Sequence, residues 1–259
     1  MLIAGLVLFS VSLLNVKPSP VFVNVSIGTQ GPYRFLVDTG SQTSLIDPKL
    51  AAELNLKPEF RVEIVTQNST RLLPALRVKT LHIGDKPLHS AELVFHDLAH
   101  ARRLDPSIKG VLGWNALAGI DFVLLPREGR LDVTAARPYG EVVPFYPVED
   151  RIAIRARMGR ENLTLLLDSG ATNIVLFRTP EAMVKTPPLP TTLTTIEGAR
   201  SAVPTCWTAE MSFTDALRFG TLPAAIVSRP GTVLDGVIPT SLFRAIYVDQ
   251  MRGEIVLVR

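Results

Sequence analysis

Phe35-Leu36-Val37-Asp38-Thr39-Gly40-Ser41 runs three apolar residues into a carboxylate, a small hydroxyl residue and a glycine, with Thr43-Ser44-Leu45-Ile46 close behind. The apolar run reads as a buried strand, and the glycine reads as a sharp turn. A carboxylate at the end of a buried strand is costly unless it is hydrogen-bonded, so it calls for a specific partner. A single such acid does no more than cap its turn. The weight comes from a second copy, Leu165-Leu166-Leu167-Asp168-Ser169-Gly170-Ala171-Thr172, in which Asp168 follows Asp38 by 130 positions.

Working outward from Asp38, Val21, Val23, Val25 and Ile27 alternate with Asn24 and Ser26, as in a half-buried strand. A turn over residues 28–32 returns the chain through residues 33–37, so a hairpin delivers the acid. Beyond it, Asp47-Pro48 and the residues 49–54 predict an N-cap, a proline at the first helical position and a short helix. Strand-like runs follow at 62–65, 76–83 and 93–95. Gly110-Val111-Leu112-Gly113-Trp114-Asn115-Ala116-Leu117 predicts an apolar strand breaking into a helical turn, and 122–125 with 131–133 predict a closing hairpin.

The same events recur in the same order. Residues 152–167 predict a hairpin that delivers Asp168, and Thr179-Pro180-Glu181-Ala182-Met183-Val184 repeats the cap, proline and short-helix signal. Asp235-Gly236-Val237-Ile238-Pro239-Thr240-Ser241-Leu242-Phe243 answers the Gly110 segment, and 246–249 with 255–258 answer the closing hairpin. From Asp38 to Gly110 is 72 positions, and from Asp168 to Gly236 is 68. Four events at near-equal spacing mark an internal duplication. The division is a hydrophobic N-terminal segment at 1–17, a first lobe at 18–137 and a second at 138–259.

Duplicated halves pack about a pseudo-two-fold axis, where equivalent residues meet. Asp38 and Asp168 are then expected to face each other. Two carboxylates at hydrogen-bond distance do not both stay ionised, so the pair shares a proton and supplies one base and one acid. The base can draw a proton from water while the acid polarises a carbonyl, which is the equipment for adding water to an amide. Thr39 and Ser169 offer hydroxyls that can bond across the axis. Gly40 and Gly170 let the backbone approach the acids.

These residues resemble a known family. The Asp-Thr-Gly-Ser and Asp-Ser-Gly-Ala-Thr loops, each behind an apolar triplet, are similar to the active-site loops of aspartic peptidases. Val111-Leu112-Gly113-Trp114-Asn115-Ala116-Leu117 is similar to the apolar-apolar-Gly element that buttresses such a loop. The chain resembles bacterial retropepsin-like proteins with two copies fused, over about residues 21–258. The resemblance implies an all-β, bilobal fold of two similar closed barrel-like lobes with short helices. It implies a polypeptide substrate in the interlobe cleft, a flap hairpin and endopeptidase activity. Asp38 and Asp168 would be catalytic, supported by Thr39, Gly40, Ser41, Ser169, Gly170, Ala171 and Thr172, with no cofactor or metal. Because one chain carries both acids, a monomer suffices. Pro239 departs from the pattern, which expects glycine, so the second buttress is expected to be reshaped. Neither candidate flap tip, at 66–71 or 197–200, is glycine-rich. The alternative is a peptide-binding or regulatory protein that kept the lobes and lost turnover.

Composition narrows the rest. With 47% hydrophobic and 20% charged residues the chain is a folded globular protein. The net charge of +3 is spread without a basic stripe, which argues against nucleic acid as a partner. Cys206 is the only cysteine, so it forms no internal disulfide and reads as apolar filler. His96 and His100 stand four apart, yet no glutamate follows His96 as a zinc-peptidase helix requires. Ser41 and Ser169 lack the flanking glycines of a serine-hydrolase elbow. The thirteen uncharged residues 2–14 are too short to span a bilayer comfortably and suit the apolar core of a secretory signal or a membrane tether; a first buried strand is the other reading. Export to a periplasmic or extracellular space, or tethering, is the expectation.

Overall fold

Val21, Val23, Val25 and Ile27 point inward from the strand Phe22–Ile27 and its start, and Asn24 points to solvent, as the alternation predicts. The computed structural model describes residues 2–3, 20–65, 70–88, 91–179, 183–184, 191–194 and 200–259. Phe22–Ile27 pairs antiparallel with Gln30–Val37, Phe22 opposite Leu36, and Asp38 follows directly. After the acid loop come the strand Ser44–Ile46 and the helix Pro48–Glu53. Its N-cap is Asp47, whose carboxylate accepts from the Lys49 N–H at 2.8 Å. The same carboxylate pairs with Arg102. Phe60–Val65 and Thr70–Val78 form a hairpin. The strand expected over 76–83 is two strands, Thr70–Val78 and Leu81–Ile83, because the chain turns at Lys79-Thr80 to pair back onto Phe22–Ile27.

The strand Gly110–Leu112 lies between two others, parallel to Phe35–Val37 and antiparallel to Ser44–Ile46. Ser44–Ile46 also runs parallel to Leu93–Phe95. The second half repeats this pairing throughout. Gly236–Pro239 lies parallel to Leu165–Asp168 and antiparallel to Ile174–Leu176, which in turn runs parallel to Ala224–Ile226. The hairpin Arg151–Met158 and Glu161–Asp168 delivers Asp168 as expected. Of the short helix expected over 179–184, residues 180–182 lie outside the described residues, and Met183–Val184 forms a strand against Trp207–Thr208. Of the flap-tip candidates at 66–71 and 197–200, residues 66–69 and 197–199 lie outside the described residues, as do 4–19. Leu2–Ile3 pairs parallel with Ile64–Val65. No helix among the described residues is long and apolar enough to cross a membrane.

The closing hairpins join the halves. Phe122–Leu125 pairs with Arg130–Asp132 and also, antiparallel, with Ala245–Asp249, Val123 opposite Tyr247. Ala245–Asp249 pairs with Glu254–Val258, and that strand with the start of Glu141–Val148. Twenty-four described strands therefore form one continuous network, with Thr191–Thr194 and Arg200–Val203 as a separate pair. The fold is all-β with short helices, and no closed barrel is found among the described strands. The closing hairpins spend their edges on each other, so the network continues across the molecule. One apolar cluster likewise spans both halves, from Val21 to Leu257, with Trp114 edge-on to Phe122.

Candidate active site

Each acid stands where an apolar strand ends, and each is fully buried. The loop after it bends so that backbone donors converge on one oxygen. Asp38 Oδ1 accepts from the N–H groups of Gly40 (3.0 Å) and Ser41 (3.1 Å). Asp168 Oδ1 accepts from those of Gly170 (2.7 Å) and Ala171 (3.1 Å). These are the bonds that make burial of a carboxylate tolerable.

The hydroxyl residues lock the loops together. The Thr39 N–H donates to Ser169 Oγ (3.1 Å), and that hydroxyl donates to the Val37 carbonyl (2.8 Å). The Ser169 N–H donates to Thr39 Oγ1 (3.0 Å), which donates to the Leu167 carbonyl (2.7 Å). Both hydroxyls thus accept one bond and donate one, in a pattern that reads the same from either half. Exchange of four buried bonds across the junction fixes the two acid loops relative to each other.

Fixed in this way, the Asp38 and Asp168 carboxyls lie within hydrogen-bonding reach of one another. Gly40 is wedged between: a Cβ there would come 2.4 Å from the Asp168 carboxyl carbon, so no larger residue fits. Oδ2 of each acid is buried and receives no donor from elsewhere among the described residues. Two buried carboxyls this close do not both stay ionised at little cost, so the pair shares a proton over some pH range. Burial, the facing charge of Asp168 and the bond to it push the Asp38 carboxyl well above the usual carboxylate range. Burial also raises Asp168, to about 6, but the Gly170 N–H, the bond from Asp38, the Ala171 N–H and the charge of Arg151 pull against it.

Of the supporting residues expected from the sequence, six lie in this arrangement. Thr39 and Ser169 make the cross-bonds, and Gly40, Ser41, Gly170 and Ala171 supply N–H groups or close approach. Thr172 sits one step along, its Oγ1 accepting from the Asn173 side-chain amide. The buttress behind the first loop is tight. The Asp38 N–H donates to the Leu112 carbonyl, the Gly113 N–H donates to Ser44 Oγ (3.0 Å), and a Cβ on Gly113 would meet the Thr43 carbonyl at 2.5 Å. Pro239, the counterpart of Gly113, does not disrupt the second buttress: it is paired in register with Asp168. It has no N–H to donate, and the counterpart of Ser44 is Ile174, which has no hydroxyl to receive one. The two changes match.

Three nearby residues carried no sequence signal. Glu149-Asp150-Arg151 reads as a solvated hairpin tip, and Glu149 and Asp150 do adopt positive φ in a tight turn. Yet the Arg151 side chain is fully buried, donating to the Gly40 carbonyl (3.2 Å) and paired with Glu149. The Gln42 amide donates to the Glu149 carbonyl. Among the described residues no group of three or more metal-ligating side chains comes together. Cys206 is buried, and burial raises its thiol.

Residues 23–116 match the family model described as aspartyl protease. That segment is similar to aspartyl protease domains. It runs from the strand that leads to the first acid loop through to the helical turn at Trp114. The resemblance read from the Asp38 loop and the Gly113 element is thereby supported for the family. The second acid loop lies beyond the matched segment, and its likeness to the aspartyl protease domain rests on the repeated pairing and the cross-bonds. No curated protein matches the chain.

Proposed function

We propose that the chain is an aspartic endopeptidase in which Asp38 and Asp168 activate one water between two similar lobes. The observation that carries this reading is the meeting of two buried carboxyls, each held by two N–H groups at Oδ1, on loops locked together by four cross-bonds. The ionised carboxylate takes a proton from water as the oxygen attacks the amide carbon, and the protonated carboxyl donates to the carbonyl oxygen. The tetrahedral diol then collapses as a proton passes to the amide nitrogen, the C–N bond breaks and the pair returns to one shared proton. Water is the only co-reactant, and no cofactor or metal enters. The polypeptide would lie in the cleft between the lobes, a single chain would suffice, and the apolar residues 2–14 support export or tethering, which cell fractionation would test.

The test is hydrolysis of a mixed peptide library across acidic to neutral pH by the wild-type chain and by Asp38→Asn and Asp168→Asn. Each substitution is expected to lower cleavage by at least about 10²–10⁴-fold, the usual worth of general acid–base catalysis, with the circular dichroism unchanged. Full activity in either variant would sink the reading. The binding-only alternative drew on Pro239 and on flap tips that are not glycine-rich; Pro239 stays in register with Asp168, and most of each flap tip lies outside the described residues. A pepstatin-type inhibitor that blocks the cleavage would separate the two.

A further inference from the structure

The two halves treat their acids alike except at one place. The strand Arg151–Met158 pairs with Glu161–Asp168, Ala153 opposite Leu166. Two residues further on, that register sets Arg151 across from Asp168. In the first half Phe22 stands opposite Leu36, and the same step sets Pro20 across from Asp38. Residues directly opposite on one face of an antiparallel pair stand about 4.5–5.5 Å apart at Cβ, within the range at which charges act strongly in a buried setting. One acid therefore faces a cation and the other faces a proline.

The cation is built into the fold. Its guanidinium reaches past Asp168 to the carbonyl of Gly40, the glycine wedged against the Asp168 carboxyl. Glu149 pairs with it, and Glu149 is itself held by Gln42 at its carbonyl and by Thr232 at 3.4 Å. Arg151 Nε is buried with no partner among the described residues, so its charge is only partly spent on Glu149. The charged groups that face Arg151 are Glu149, Arg229, Asp168 and Asp38.

We propose that Arg151 breaks the symmetry of the acid pair: it is a positioning residue that keeps Asp168 ionised as the base and leaves the shared proton on Asp38. Its role as base rests on the peptidase reading; the placement of the proton does not. Arg151 acts through Asp168 and through the Gly40 carbonyl that holds the first loop in place.

The experiment is a carboxyl ¹³C NMR titration of the full chain labelled at aspartate, for wild type, Arg151→Met, Arg151→Lys and Glu149→Gln, with Asp38→Asn and Asp168→Asn used to find the pair's signals. In Arg151→Met the lower apparent midpoint of the pair is expected to rise by about one to three pH units, the usual effect of an opposite charge at this range. Glu149→Gln is expected to lower it, because the arginine is then less compensated, and Arg151→Lys is expected to stay near wild type. Unmoved midpoints in Arg151→Met, or a shift of the same sign in Glu149→Gln, would overturn the proposal. If Arg151→Met does not fold, the sign in Glu149→Gln and the retention in Arg151→Lys decide it. The acid limb of kcat/KM should move with the midpoints. Absence of cleavage by the wild-type chain would count against the peptidase reading and leave the titration to judge the arginine.

Discussion

At the scale of the residue, the dominant fact is the burial of two carboxyls that share a site. Both hold a proton more tightly in the folded chain than in the unfolded one, where an aspartate titrates near 3.8. A native state that binds more protons than the unfolded state loses stability as pH rises. The loss runs from about pH 4 up through the raised values, with Asp168 at about 6. Below that window both states are protonated and the effect is absent. Asp38→Asn is neutral in the folded and the unfolded chain alike, so its folding at pH 7 needs no uptake of a proton at that position. Urea titrations should therefore find it more stable than wild type at pH 7, on the order of 1–3 kcal/mol, with the difference closing below pH 4. A variant less stable than wild type at pH 7 would contradict the shared proton. The same arithmetic explains why the acids need four N–H donors and a glycine wedge: without them burial would cost several kcal/mol more.

At the scale of the element, each acid loop is backed by a strand slipped between two others, Gly110–Leu112 in the first half and Gly236–Pro239 in the second. The halves seal that joint by different chemistry. In the first, Ser44 Oγ receives the Gly113 N–H and donates to Asn115 Oδ1 at 2.7 Å. In the second, Ile174 and Pro239 replace both polar partners, and Ser241, the counterpart of Asn115, has a buried hydroxyl with no partner among the described residues. Ser44→Ala leaves a buried N–H without an acceptor and is expected to cost about 1–3 kcal/mol. Ser241→Ala removes an unanswered hydroxyl and is expected to be neutral or stabilising. Denaturant midpoints of the two variants test the contrast, and equal losses would refute it.

At the scale of the whole molecule, the halves are held by the closing hairpins and by the cross-bonds at the acids. Gln250 adds to this, its side-chain amide donating to the Leu117 carbonyl (2.8 Å) and its backbone N–H to Asp121 (2.8 Å). Nearby, Asp249 pairs with Arg137 and Arg252. Residues 18–137 expressed alone would lose the partner of Phe122–Leu125 and expose a row of unpaired backbone groups. That fragment is expected to self-associate in sedimentation velocity, and any cleavage should rise with the square of its concentration, since one copy holds one acid. A well-folded fragment that stays monomeric would show that the halves do not depend on each other.

Some of this was legible in the residues alone. Apolar triplets before Asp38 and Asp168, the hydroxyl and glycine after each, and the near-equal spacing to Gly110 and Gly236 determined that two equivalent acid loops exist. The alternation at Val21, Val23, Val25 and Ile27 and the Asp47-Pro48 cap were equally local, since strand period and helix capping depend on neighbours in the chain. Other features depended on register across strands. Arg151 carried no signal in its neighbours; only pairing with the strand that ends at Asp168 buries it. Pro239 looked like damage because its compensating partner, Ile174, stands 65 positions away. Nor did adjacent residues show that each half's last hairpin finds its edge partner in the other. The sequence by itself determined the two acids and their loops, because turns and strand ends are written in adjacent residues. Which charges surround each acid was decided only by the tertiary structure, because those charges are brought together from distant strands.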